Sequence, residues 1–142
     1  MRILAVDPGS KNIGLAISDP TGTIASPLTI LKHVSRSDDA SKIIQLAVEY
    51  KAELIIVGQA LDDDGVPNFE GRKAARLAGA LRAQTDLQVG LWDESFSTRT
   101  AQKARRELGS PKQKHKGHMD DLAATVILQS YLDAQRLNNL YE

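Results

Sequence analysis

Residues 2–19 read Arg-Ile-Leu-Ala-Val-Asp-Pro-Gly-Ser-Lys-Asn-Ile-Gly-Leu-Ala-Ile-Ser-Asp. Ile3 to Val6 is a short apolar run of the kind that forms a buried strand, and it stops at an acid, Asp7. Pro8, Gly9 and Ser10 make a turn. Gly14 follows, and Leu15 to Ile17 is a second apolar strand ending at Ser18-Asp19. A carboxylate at the end of a buried strand, facing a glycine turn, suits a site for a metal or a phosphate. It is equally the place for an acid that only closes a turn. Three readings are open on this stretch alone: metal-dependent cutting, phosphate transfer, or a turn.

Working outward, Ile24 to Leu31 is a third extended segment, set off by Pro20-Thr21-Gly22, and the first three strands form an antiparallel meander. The pattern then changes. Ser37-Asp38-Asp39 starts a helix with its acids against the positive end of the dipole, and Ile43, Ile44, Ala47 and Tyr50 recur at helical spacing. Leu54 to Val57 is a fourth strand, ending at Gly58. Asn68 caps a second helix with the stripe Ala74, Ala75, Leu77, Ala78 and Leu81. Val89 to Trp92 is a fifth strand, ending in Asp93-Glu94. Ser97 or Thr98 caps a third helix with Ala101, Ala104 and Leu108 inward, stopped by Gly109. A polar loop, 110–117, leads into a last helix from Met119 to Arg136. The order is β-β-β-α-β-α-β-α-α. It predicts an α/β fold, a five-stranded mixed sheet with helices on both faces. One domain over 1–142 is expected, with 135–142 as a frayed tail.

The chain has 142 residues, 42% hydrophobic and 25% charged, an ordinary balance for a soluble domain with its own core. Its apolar runs are far short of a membrane span, and no signal peptide precedes Arg2, so a cytoplasmic protein is expected. The absence of cysteine excludes disulfides and thiolate metal sites. Eighteen basic residues balance eighteen acidic ones, so any nucleic-acid contact must use a local basic patch.

Three acids stand at separate element ends: Asp7 after the first strand, Glu94 after the fifth and Asp120 at the start of the last helix. Parallel sheets build sites at the carboxyl ends of their strands, so one cleft can hold Asp7 and Glu94. Clustered carboxylates repel one another unless a cation joins them. Two hard cations can activate water and stabilise the leaving oxygen in phosphodiester hydrolysis. Each acid also has a plainer reading: Asp7 as a turn acid, Asp120 and Asp121 as first-turn helix acids, Glu94 as solvated surface. Strand parity does not choose between Asp93 and Glu94, because both faces of the sheet should be covered.

These residues resemble the YqgF family, also called RuvX, within the RNase H-like fold. That family's pattern opens with Asp-x-Gly and Gly-x-Ala-x-Ser-Asp, here Asp7, Gly9, Gly14, Ala16, Ser18 and Asp19. Val57-Gly58 and Asp64-Gly65 follow, then Asp93-Glu94 with Ser97-Thr98. The pattern closes with Met119-Asp120-Asp121-Leu122-Ala123-Ala124 and Leu128-Gln129-Ser130-Tyr131-Leu132. The resemblance covers residues 1–134. It implies Asp7, Glu94 and Asp120 as the acidic set, Mg²⁺ or Mn²⁺ as cofactor, and a nuclease acting on structured nucleic acid. The substrate it implies is the 5′ end of the 16S ribosomal RNA precursor, with branched DNA of the Holliday-junction type as the alternative. Two positions depart from the pattern. The family's Gly-Leu-Pro is Gly58-Gln59-Ala60 here, and the Arg after the glutamate is Ser95, for which Arg99 is a possible substitute. These departures keep a third reading open, a non-catalytic RNA-binding assembly factor.

A basic run lies just before Asp120: Arg99, Lys103, Arg105, Arg106, Lys112, Lys114 and Lys116, with Glu107 the one acid. Such a run neutralises phosphates or simply forms a solvated face. Ser97 and Thr98 are helix caps that can also meet a phosphate. His118 is a surface-loop residue or a proton shuttle. Asp7-Pro8-Gly9-Ser10 also resembles the phosphate loop of actin-like and sugar-kinase-type phosphotransferases, but those clamp ATP between two domains, which one 142-residue domain cannot form.

Overall fold

The strands β1 (Ile3–Pro8), β2 (Asn12–Ser18), β3 (Ala25–Lys32), β4 (Leu54–Gln59) and β5 (Gln88–Asp93) form one mixed sheet in the order β3-β2-β1-β4-β5. The structure is a computed structural model that describes residues 1–61, 64–93 and 119–141. β1 pairs antiparallel with β2 and parallel with β4, and β2 pairs antiparallel with β3. The expected meander is therefore present, with the Asp7 strand at the centre. Pro27 is tolerated because β3 is an edge strand.

β1 and β4 are buried on both faces, which is why they read as continuous apolar runs instead of alternating ones. Leu4 and Val6 of β1, with Ile55 and Val57 of β4, face helices α1 (Arg36–Glu49) and α2 (Phe69–Gln84). Ile3 and Ala5, with Leu54 and Ile56, face helix α3 (Met119–Tyr141) through Ala124, Ile127, Leu128 and Leu132. Truncating a fully buried leucine such as Leu4 costs about 2–5 kcal/mol.

Helix α1 starts earlier than Ser37. Ser35 is its cap, accepting the Asp38 N–H at 3.2 Å. The reason is Asp39, which is buried instead of solvated. It accepts the Val34 N–H at 3.0 Å and pairs with His33 Nδ1, so the chain turns before Asp39 rather than at it. Tyr50 lies at the end of the helix, partly exposed, and Lys51 adopts a left-handed conformation (φ 59°) that stops it. Asn68 caps α2 as expected, accepting the Gly71 N–H at 2.8 Å. Helix α3 runs past Arg136 to Tyr141, through most of the expected tail, because no glycine or proline interrupts it; residues 135–138 are exposed. The expected helix over 97–109 and the loop 110–117 lie outside the described residues.

Candidate functional site

Asp7 is half-buried at the carboxyl end of the central strand, opposite Gly14 of β2. The last paired residues of β1 and β4 are Val6 and Val57, so the next step along both strands sets Asp7 beside Gly58. Gly58 in turn pairs with Trp92 of β5. A single row thus crosses the sheet: Gly14, Asp7, Gly58, Trp92. Residues opposite one another share a face, and this row shares the face of Ala5, Ala16 and Ile56, the α3 side. The carboxylate therefore has a glycine on each side. At Gly9 a Cβ would lie 2.3 Å from Asn12 O, so only glycine closes this turn.

Helix α3 returns to the same edge. Gln129 accepts the Ala25 N–H at 2.9 Å and donates to Thr23 O at 3.0 Å, at the β2–β3 turn. That turn lies beside the start of β1, where the Ile3 N–H donates to Ser18 Oγ at 2.8 Å. The nine residues from Gln129 back to Asp120 span about 13 Å of helix. The four steps from Ile3 to Asp7 span about 13 Å of strand. The helix start therefore reaches the level of Asp7. Position 120 lies one turn before Ala124 in α3.

Trp92 ties β5 into this arrangement. Its indole N–H donates to Ser130 Oγ at 2.7 Å, and its ring meets Tyr131 edge-on at 5.2 Å between centroids. Burial raises the Tyr131 hydroxyl above its usual pKa. Trp92 is a core-edge residue of this face and not a free stacking platform.

Ser18 and Asp19 of the motif sit at the opposite end of β1 from Asp7 and organise the fold there. Asp19 accepts the Ile24 N–H at 2.9 Å, the Thr21 hydroxyl and the Thr23 N–H at 2.8 Å. Those bonds, the one from Ile24 first, hold its carboxyl well below the usual carboxylate range. The Gln59-Ala60 departure is compensated. Gln59 Nε2 donates to Gly71 O at 3.1 Å, and Ala60 O accepts the Asn68 N–H at 3.4 Å. The loop is tied to the α2 start instead of being stiffened by proline.

Among the described residues no three acids or histidines cluster as metal ligands. Of the expected set, Asp7 and the helix position of Asp120 come to one edge, while Glu94 lies outside the described residues. So do Ser95, Ser97, Thr98, Arg99, Lys103, Arg105, Arg106, Lys112, Lys114, Lys116 and His118. The donor chemistry fits a hard divalent cation, since carboxylate oxygens are what Mg²⁺ prefers. Sequence reasoning missed the His33–Asp39 pair and the cavity beside it. The spacing of six residues between them was the one local signal.

The family model described as "RuvX: Holliday junction resolvase" matches residues 1–134. The chain belongs to the RuvX family. Among relatives with RuvX-family likeness, a protein of Thermoanaerobacter pseudethanolicus named "Putative pre-16S rRNA nuclease" is 40% identical over 137 residues, which is 96% of this chain and 99% of that one. A protein of the same name from Syntrophus aciditrophicus is 40% identical over 134 residues, 94% of this chain and 89% of that one. In fold, this RuvX chain is similar to RuvC of T. thermophilus, solved with a Holliday junction substrate: TM-score 0.65, 16% identity, covering 97% of this chain and 96% of that one. It is also similar to the large terminase nuclease of phage G20c, with TM-score 0.58, 13% identity, and coverage of 92% and 81%. The expected RNase H-like sheet, antiparallel over its first three strands and covered on both faces, is thereby established. No helix among the described residues is long and apolar enough to cross a membrane.

Proposed function

We propose that this chain is a metal-dependent nuclease that hydrolyses phosphodiester bonds in structured nucleic acid, processing the 5′ end of pre-16S ribosomal RNA in the cytoplasm. Asp7, Glu94 and Asp120 would hold Mg²⁺ or Mn²⁺. Such ions, when bound, stabilise the attacking and leaving oxygens of an in-line displacement. Asp7 is held at the carboxyl end of the central strand, paired with Gly14 of β2. The basic residues Arg99, Lys103, Arg106, Lys112, Lys114 and Lys116, with Ser97 and Thr98, would bind backbone phosphates leading into the cleft. The observation that carries this reading is the glycine-flanked Asp7 at the edge to which the α3 start returns. The names of relatives that match nearly end to end support the substrate.

The test is cleavage of a structured precursor RNA and a four-way DNA junction with Mg²⁺, by the wild type and by Asp7→Asn. The reading expects wild-type cleavage of the RNA and its loss in Asp7→Asn. Equal cleavage by both proteins removes Asp7 from the site. Cleavage of the junction alone selects the resolvase reading, and RNA binding without cleavage selects the assembly-factor reading.

A further inference from the structure

On the face of the sheet opposite Asp7, a cavity of about 240 Å³ lies between the β1–β2 turn, the start of α1 and the middle of α2. Gly9 and Ser10 form one wall, His33, Arg36 and Asp39 the second, and Lys73 the third. We propose that this cavity binds one backbone phosphate of the nucleic-acid strand cut on the other face. The inference rests on the nuclease reading and extends it to the path of the substrate.

The lining suits an anion. Arg36 and Lys73 are cations brought together from two helices, and Ser10 adds a hydroxyl. Lys73 Nζ stands 4.9 Å from the centre of the Phe69 ring, which rests its ammonium against the α2 surface. The one acid among the described lining residues, Asp39, is 3% exposed, and its oxygens already accept from His33 and the Val34 N–H. In a chain of zero net charge, a local cluster of this kind is what attracts a polyanion.

Position points to a backbone phosphate. Pro8 and Gly9, which line it, directly follow Asp7 in the chain. The turn 8–10 is thus a shared wall, with the carboxylate on one side and the cationic cavity on the other. A strand that passes over this edge of the sheet meets both.

The test is binding of a fluorescent hairpin RNA, followed by anisotropy across a salt series in EDTA, so that no cleavage contributes. The double variant Arg36→Gln/Lys73→Gln is compared with the wild type, with Arg36→Lys, and with Arg136→Gln at the far end of α3. Far-UV circular dichroism checks folding, and the single glutamine variants replace the double one if it does not fold. Losing one phosphate contact lowers the slope of log affinity against log salt by about 0.7–0.9. The proposal expects that drop and a several-fold weaker affinity in the glutamine variants, with both retained in Arg36→Lys and Arg136→Gln. An unchanged slope overturns it, as does an equal drop in Arg136→Gln. A variant that loses binding of inorganic phosphate alone while its RNA slope is intact also overturns it. Because binding is read without cleavage, a protein that shows the slope change and never cuts RNA refutes the nuclease reading and leaves the phosphate site standing.

Discussion

Asp7 and Asp93 stand on opposite faces of one sheet. Asp7 follows the parity of Ile3 and Ala5, on the α3 side, whereas Asp93 follows that of Val89, on the α1–α2 side. Asp93 is thus set apart from Asp7 across the sheet, and Glu94 stays the proposed ligand by its place in the motif. Steady-state cleavage of precursor RNA should therefore separate the pair. Asp93→Asn should retain activity within about tenfold, while Glu94→Gln should lose more than the roughly 10–100-fold typical of residues that only support a metal ligand.

The bond from Trp92 to Ser130 links the end of β5 to α3. Trp92→Phe keeps an aromatic ring against Tyr131 but removes the donor. Ser130 Oγ retains its own bond to Ile127 O at 3.1 Å. The expected loss is about 1 kcal/mol, a fall of a few degrees in the thermal midpoint. RNA cleavage should fall with it, because the β5 end loses its tie to the helix that carries Asp120.

Gly71 is a structural requirement of the Gln59-Ala60 loop. A Cβ there would lie 2.1 Å from Ala60 O, a backbone atom that cannot rotate away. Gly71→Ala should destabilise by about 1–3 kcal/mol despite alanine's better helix propensity, measured by urea unfolding. A stabilised variant would mean that the loop does not pack as described.

Asp19 makes a prediction about pH. Its folded carboxyl titrates well below its unfolded value, so its stabilisation is fully present above the unfolded pKa of about 3.9 and is lost as pH falls toward the folded one. The wild type should therefore exceed Asp19→Asn in urea midpoint at pH 7. The gap should narrow as pH is lowered from about 5 toward 2. A gap that is constant over this range would show that the charge contributes nothing.

The strands, the Asn68 cap and the acid at the end of β1 were legible because each is written in a few adjacent residues. Apolar runs that stop at Asp7 and Gly58 need no distant information. Asp39 was not legible, since an acid in the first turn of a helix has the same spacing whether it is solvated or turned inward to His33. The face taken by Asp93 required the register of β1, β4 and β5 together. The cavity is walled by segments near residues 9, 36 and 73, so no single stretch of sequence contains it. The role of Gln59 depends in the same way on Gly71, twelve residues on.

The central claim is that Asp7, Glu94 and Asp120 form one divalent-cation site. A crystal soaked in Mn²⁺ and measured at the manganese absorption edge tests it directly. The account predicts an anomalous peak within ligating distance of all three carboxylates, absent from crystals of Asp7→Asn. A peak elsewhere, or one that survives that substitution unchanged, would contradict it.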